Sequence, residues 1–319
     1  MKKFLYLLYI GMLLFLLSAC HRHPYYDLER VEAGSLHILF DWNGYTDIPP
    51  GMNLIFYPIK DDRSQPTDYA GAPILHQLQY DGGTVSLPVG RYNVAIYNDY
   101  TYQIMYRGME DFHTAEAWLE DYDRLPLSAQ SKSVRNVAEP DIFYVTQLND
   151  LQVTAQDHNR VITVYPDLKT LKLFVHIEVN GIENVSMADG SISGTAGSLM
   201  LDSGEAPDDA GCSRIFSFSV MDEELYAETR AFLLPKRMTD GLYILQLAFL
   251  LRNNSVSTGK YAYDVSDQIV PVLQGHEGRI PPEGIHIYIR DVAVEEVSSN
   301  GGFDAVIDGW GNQENIELN

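Results

Sequence analysis

The stretch Pro88-Val89-Gly90-Arg91-Tyr92-Asn93-Val94-Ala95-Ile96-Tyr97-Asn98 (residues 88–98, PVGRYNVAIYN) decides the fold class. Successive side chains of a strand point to opposite faces, so a period of two reads as β structure. Tyr92, Val94 and Ile96 then share one face, and Arg91, Asn93 and Ala95 the other. Pro88 and Gly90 punctuate the start of the run. A weak echo lies far along the chain, where Gly241-x-Tyr243-x-Leu245-x-Leu247 repeats Gly90-x-Tyr92-x-Val94-x-Ile96.

Outward from this stretch the same period recurs. Ser35 to Trp42 reads as a strand ending at the turn Asn43-Gly44, and Met52 to Tyr57 as another, stopped by Pro58. Gln77 to Tyr80 and Thr84 to Leu87 flank Asp81-Gly82-Gly83, which is hairpin chemistry because glycine takes positive φ without strain. Pro140 to Val145, Val161 to Tyr165 and Leu171 to Val179 continue the series, the last running into a turn at Asn180-Gly181. Ser191 to Leu201, Ile215 to Val220, Gly241 to Phe249, Gly259 to Val272 and Gly284 to Val294 complete it. Two segments break the pattern: Thr114 is placed to cap a short helix over 114–122, and Asp222 to Arg230 has the charge content of a helical turn. Residues 123–136 read as a polar loop and Leu201 to Cys212, rich in Asp, Gly and Pro, as an exposed one.

Many short strands with turn signals and few helices predict an all-β protein of two tandem Ig-like or transthyretin-like β-sandwiches. The expected division is 1–19 signal peptide, 20–33 lipidated linker, 34–150 N-terminal sandwich, 151–298 C-terminal sandwich and 299–319 C-terminal extension, the last around Phe303, Val306 and Trp310.

The N-terminus, MKKFLYLLYIGMLLFLLSACHRHPYY, has a charged start at Lys2-Lys3, an apolar run from Phe4 to Leu17 and small residues at Ser18-Ala19, the layout of a secretory signal. The run stops short of the length that crosses a bilayer and ends in His21-Arg22-His23. Leu17-Ser18-Ala19-Cys20 has the pattern of a bacterial lipobox, in which the cysteine becomes the first mature residue and its thiol carries a diacylglycerol. Each buried acyl methylene contributes about 0.8 kcal/mol, so three chains would anchor a protein firmly to a bilayer. Acylation of Cys20 leaves Cys212 without a disulfide partner, and it reads as a partly buried, inert thiol.

Composition narrows the function. A net charge of -22 and a sequence pI near 4.6 exclude the basic footprint that nucleic-acid binding requires. His21-x-His23 supplies two imidazoles in a linker with no fixed third ligand, and no cysteine pair has metal-site spacing. Gly190-Ser191-Ile192-Ser193-Gly194 has isoleucine where a nucleophile elbow needs serine, and there is no phosphate-binding loop or HExxH. Acidic pairs such as Asp61-Asp62, Glu120-Asp121 and Asp208-Asp209 are expected where carboxylates outnumber basic residues 44 to 22. The acidic loop 202–209 lacks the ligand order of an EF-hand. The expectation is a non-enzymatic protein with no cofactor. Tyr97, Tyr100, Tyr102 and Tyr106 crowd one stretch and are candidates for ligand or partner contact, beside the plainer reading as core and edge covering.

An ordered set of short motifs carries a resemblance. Cys20-His21-Arg22-His23, Phe40-Asp41-Trp42, Gly51-Met52 before Phe56-Tyr57-Pro58, Leu87-Pro88-x-Gly90-x-Tyr92, Tyr97-Asn98-Asp99, Ile104-x-Tyr106-Arg107 and Glu139-Pro140-Asp141 follow one another. Together they resemble a family of Bacteroides-type lipoproteins of unknown function, allied to the fimbrillin-like superfamily that includes the anchor subunits of minor fimbriae. Gly181-Ile182-Glu183-Asn184-Val185 and Gly194-Thr195-Ala196-Gly197 are similar to the second sandwich of those anchors. The resemblance implies a fimbrillin-like pair of sandwiches, an outer-membrane lipid anchor at the cell surface, and fimbrial subunits as partners through strand addition. It supplies no catalytic residues. Stalk subunits of this superfamily are matured at an arginine site with no convincing equivalent after this linker, which favours an anchor or accessory role. The alternative is a surface lipoprotein that binds a glycan or host ligand.

Overall fold

Strand β5 (Gly90–Asn98) realises the opening stretch. A computed structural model describes residues 32–294 except 62, 66–67, 123–134, 222–223, 234–242 and 277–278; the signal segment, Cys20, its linker and the tail after Ser298 lie outside the described residues. β5 is the central strand of an antiparallel sheet in the order β11 (Asp167–Leu168), β9 (Tyr144–Val153), β5, β2 (Gly51–Pro58), β3 (Ile74–Gln79). Tyr92, Val94 and Ile96 are fully buried on one face. They join Leu36, Ile38, Val85 and Leu87 of a three-stranded sheet, β10 (Arg160–Val164), β1 (Ala33–Phe40), β4 (Gly83–Pro88), in one apolar cluster.

The other face of β5 is buried too. Ala95 and Tyr97 enter a second cluster with Ile55 and Val145, closed over by a small sheet of β6 (Ile104–Arg107), β7 (Glu116–Leu119) and β14 (Ser198–Met200). A strand covered on both faces carries few charged residues. Its charged residue is Arg91, buried but paired with Asp61 at 2.6 Å and with Asp150.

The remaining sheet runs β18 (Val256–Asp264), β17 (Ile244–Leu251), β13 (Val185–Ala196), β15 (Gly211–Val220), β16 (Glu224–Leu233), β12 (Thr170–Asn180), β19 (Ile285–Ala293), with β8 (Asn136–Val137) beside β15. It is antiparallel except for β12–β19 and β15–β8. Its inner face sends Leu173, Val175, Ala227, Phe249 and Ile287 into the same cluster as Leu36 and Val94. The protein is all-β and multi-sheeted. β10 and β11, which follow residue 150, bond to β1 and β9, while β14 and β8 pair with β7 and β15 across the same point in the chain.

The turn residues form their turns, but the strands they join are not neighbours. Asn43 (φ 50°), Gly44 (φ 87°), Gly82 (φ 104°) and Gly181 (φ 87°) all occupy the left-handed region. The Gly82 turn is closed by its N–H donating to the Gln79 carbonyl at 2.9 Å. Yet β3 pairs with β2 and β4 with β1, so Asp81-Gly82-Gly83 carries the chain from one sheet to another rather than closing a hairpin within one. Asn43-Gly44 does the same between β1 and β2, and Asn180-Gly181 connects β12 and β13, which β15 and β16 separate.

Four local expectations are corrected, the last in part. The helix expected over 114–122 is strand β7, because β6 and β14 flank it and bury Ala117 and Leu119. The helical turn expected at 222–230 is strand β16 from Glu224 onward: Leu225, Ala227, Thr229 and Ala231 are buried and alternate with Tyr226, Glu228 and Arg230. Its charges lie on the outer face and hid the period of two. The strand expected over 259–272 stops at Asp264, and α1 (Ser266–Gly275) follows. The Asp264 carboxylate accepts the Ser266 N–H at 3.0 Å, and Ser266, Ile269 and Leu273 bury one helical stripe. The stretch from Leu201 to Cys212 is a loop only to Ala210; Leu201, Ala210 and Cys212 are buried, while Ser203, Asp208 and Asp209 between them are exposed.

Asn98 ends β5 and binds two backbone groups of the next segment. Its side-chain amide donates to the Ile142 carbonyl at 3.0 Å, and its carbonyl accepts the Tyr144 N–H at 2.7 Å. An orphaned buried polar group costs about 1–3 kcal/mol. Asn98→Ala is therefore expected to lose about 2–4 kcal/mol of unfolding free energy in urea titration; a change within experimental error would refute the assignment.

Candidate functional site

A polar cleft of about 530 Å³ opens where the segment Ala138–Asp141 crosses the outer face of the large sheet. The sheet places its charges by strand alternation. On β16 Glu228 and Arg230 point outward because Leu225, Ala227 and Ala231 point in, and on β13 Asp189 faces Ser217 of β15. Four carboxylates (Glu139, Asp141, Asp189, Glu228) and two guanidiniums (Arg214, Arg230) line the cleft.

Arg214 and Asp189 are the buried members. Arg214 donates from Nη2 to the Glu139 carboxylate at 2.9 Å, and its Nε is buried without a partner. Burial pushes the Arg214 guanidinium below its usual range, and the adjacent Glu139 carboxylate opposes that. Arg230 reaches the other Glu139 oxygen at 3.5 Å. Asp189 is fully buried; one oxygen accepts the Ser217 hydroxyl at 2.7 Å and the other has no partner. The cleft therefore offers both acceptors and donors, with carboxylates in excess.

Gln103, within the tyrosine-rich stretch, lines the cleft. Asp141 accepts the backbone N–H groups of Tyr102 (2.6 Å) and Gln103 (2.7 Å), fixing the loop beside the cleft. The four candidate tyrosines divide into two pairs. Tyr100 and Tyr102 are 73 % and 82 % exposed on this loop, with Tyr100 at φ 57°. Tyr97 is buried, Tyr106 is largely so, and their rings lie 4.7 Å apart. Burial pushes the Tyr97 hydroxyl up to about 12, and it raises Tyr106 as well. Strand parity accounts for Tyr97, which lies opposite Tyr92 on a strand buried on both faces.

Sequence reading did not single out Asp189, Arg214 or Arg230, although Glu139 and Asp141 stand in a quoted motif. The available signal was an arginine inside the apolar run Cys212-Ser213-Arg214-Ile215-Phe216. Cys212 itself is buried against the Thr195 hydroxyl, and burial pushes its thiol up to about 11, so it is unreactive near neutrality. In the acidic loop, Asp202 is engaged by His113 at 3.0 Å. Among the described residues no group of three or more His, Cys, Asp or Glu side chains is placed to hold a metal ion, and no helix is long and apolar enough to cross a membrane.

Comparisons with known proteins agree with this architecture. The chain is 28 % identical over 336 aligned residues to the "Putative fimbrium anchoring subunit Fim4B" of Bacteroides ovatus, covering 96 % of this chain and 95 % of that protein. The crystal structure of a "putative adhesin" from Bacteroides ovatus shares the fold, with a TM-score of 0.62 at 24 % identity over 87 % of this chain and 98 % of that one. The fimbrial anchor protein Mfa2 from Porphyromonas gingivalis is more distant, with a TM-score of 0.48 and 11 % identity over 82 % and 90 % of the two chains. The family described as "Domain of unknown function (DUF5119)" matches residues 19–215, well over half of the 319, which bears out the resemblance carried by the ordered motifs: this chain belongs to the DUF5119 family.

Proposed function

We propose that this chain is a non-enzymatic fimbrial or adhesion subunit displayed at the cell surface, acting as an anchor or accessory rather than a polymerising stalk. The observation that carries the reading is the end-to-end similarity to a fimbrium anchoring subunit, which spans nearly the whole of both chains. Cys20 is its acylation site and the outer membrane its location; the lipobox pattern supports the acylation. A signal peptide of residues 1–19 precedes two fimbrillin-like sandwiches that exchange strands across the 148–160 region. Fimbrial partners join by strand addition at a sheet edge. The edge of β19 is already occupied at one point, where the Gln268 amide exchanges two hydrogen bonds with the Tyr288 backbone (2.8 and 3.1 Å). β3, an edge strand with exposed Leu75, is the more accessible acceptor.

Cys20→Ser is expected to abolish incorporation of an alkyne-labelled fatty acid and to release the protein from the membrane fraction, with fimbriae shed into the medium. Fimbriae that stay attached in a strain lacking the whole chain would overturn the anchor reading. A second reading, a glycan or host-ligand receptor, draws on the exposure of Tyr100 and Tyr102 beside the polar cleft. Replacing both by alanine separates the two readings: ligand binding is lost if the loop is the receptor surface, whereas attachment of fimbriae is unaffected.

A further inference from the structure

We infer that the outer face of the large sheet carries a binding site for a late first-row transition metal ion, Zn²⁺ above all, formed by His176 of β12 and His286 of the edge strand β19.

Strand register brings these residues together. Phe174 lies opposite His286 and His176 opposite Tyr288, so the two histidines are diagonal neighbours on one face. His176 Nε2 and His286 Nδ1 are 3.3 Å apart. The ring planes are within 17° of each other and the centroids 5.5 Å apart, well beyond the nitrogen separation, so the imidazoles meet edge to edge with these nitrogens facing. Two imidazole nitrogens bound to one tetrahedral Zn²⁺ at about 2.0–2.1 Å stand about 3.3–3.4 Å apart. Without an ion the same spacing is held by an N–H···N hydrogen bond between the rings, and a bound ion would take the place of its proton.

The neighbours hold the rings in place. Tyr288 stacks on His176 with centroids 4.8 Å apart, and Phe174 stacks on His286 at 4.5 Å, so neither ring turns freely. Glu224 Oε1 lies 3.7 Å from His176 Nδ1, the ring nitrogen that does not face His286. A carboxylate behind a ligating histidine commonly orients the ring once the ion is bound. His286 is exposed, and His176 keeps 20 % of its side-chain area exposed, so an ion has access from solvent. Imidazole selects Zn²⁺, Cu²⁺ and Ni²⁺ over Mg²⁺ and Ca²⁺. The protein supplies two ligands and water completes the shell. A bound ion would tie the parallel edge strand β19 to β12.

The test uses the full chain carrying H21A and H23A, which removes the separate pair of histidines in the linker. Titration with Zn²⁺ in a calorimeter is expected to show one ion per chain, undisturbed by millimolar Mg²⁺ or Ca²⁺. At a hundredfold excess over Kd it should raise the melting temperature by roughly 5 °C. His286→Gln lies on an exposed edge and is expected to keep the fold while weakening binding at least tenfold. His176→Gln should do the same, and Glu224→Gln should weaken binding several-fold with both ligands intact. His158→Gln, elsewhere on the chain, should change nothing. Absence of Zn²⁺ binding in the H21A/H23A chain overturns the inference, as does binding that survives His286→Gln unchanged in a variant with a native circular dichroism spectrum.

Discussion

Phe143→Ala is expected to destabilise the protein by about 3–5 kcal/mol, the range for deleting a buried phenylalanine. Phe143 is fully buried, with ring centroids 5.8 Å from Phe232 of β16 and 6.5 Å from Tyr106 of β6. Its backbone is fixed on both sides: its N–H donates to the Thr170 hydroxyl at 3.1 Å, and its carbonyl accepts the Lys169 N–H at 2.7 Å. The ring therefore fills space among the five-stranded sheet, the small sheet and the large one, where no single element can move in to close a cavity. With total stabilities of about 5–15 kcal/mol, the loss takes a large share of the margin. Urea unfolding monitored by tryptophan fluorescence gives the value, and Tyr100→Ala, at an exposed loop position, should stay within about 0.5 kcal/mol of the parent. A Phe143→Ala loss below about 1 kcal/mol would mean that the second cluster does not join the sheets.

The second large effect falls at Gly82. Its φ of 104° is strained for any residue with a side chain, and a Cβ there would sit 2.0 Å from the Ile38 carbonyl oxygen, a backbone atom of β1. Relief would require moving β1 away from β4, with which it pairs at Ile38 and Gly83. Gly44 is the matched control, since its φ is 87° but nothing lies within 4 Å of its Cβ position. Gly44→Ala should therefore cost only the left-handed strain, about 1–2 kcal/mol. Gly82→Ala adds a backbone clash and is expected to exceed about 3 kcal/mol. Equal losses in denaturant titrations of the two variants would show that the close approach to β1 does not exist in solution.

The same contrast explains what could be read in advance. β5, β1, β2 and β12 were legible because their alternation is intrinsic to the residues and needs no knowledge of partners. The strand β16 was obscured by Glu224, Glu228 and Arg230, whose charges suit either a helical turn or the outer face of a sheet. β7 is four residues long, too short for a period, and becomes a strand because β6 and β14 lie on either side. The cleft was less legible still. Asp189, Glu139 and Arg214 are 25 or more residues apart in the chain, and nothing local marks them as neighbours. Tyr100 and Tyr102 could be recognised as unusual, but their separation from Tyr97 and Tyr106 depends on where β5 ends.

By itself the sequence determined an all-β chain, the places where its backbone turns, the acidic surface that excludes nucleic acid, and the motifs that carry its family. These follow from side-chain alternation, glycine conformation and net charge, each a property of residues adjacent in the chain or of their sum. Only the tertiary structure decided which strands pair. Gly44, Gly82 and Gly181 set the local dihedral angles, whereas pairing depends on which distant strand offers backbone partners and a matching apolar face. Those turns accordingly became crossings between sheets or between strands that do not touch. The juxtapositions they create, Arg214 with Glu139 and His176 with His286, exist because β strands far apart in sequence share one face.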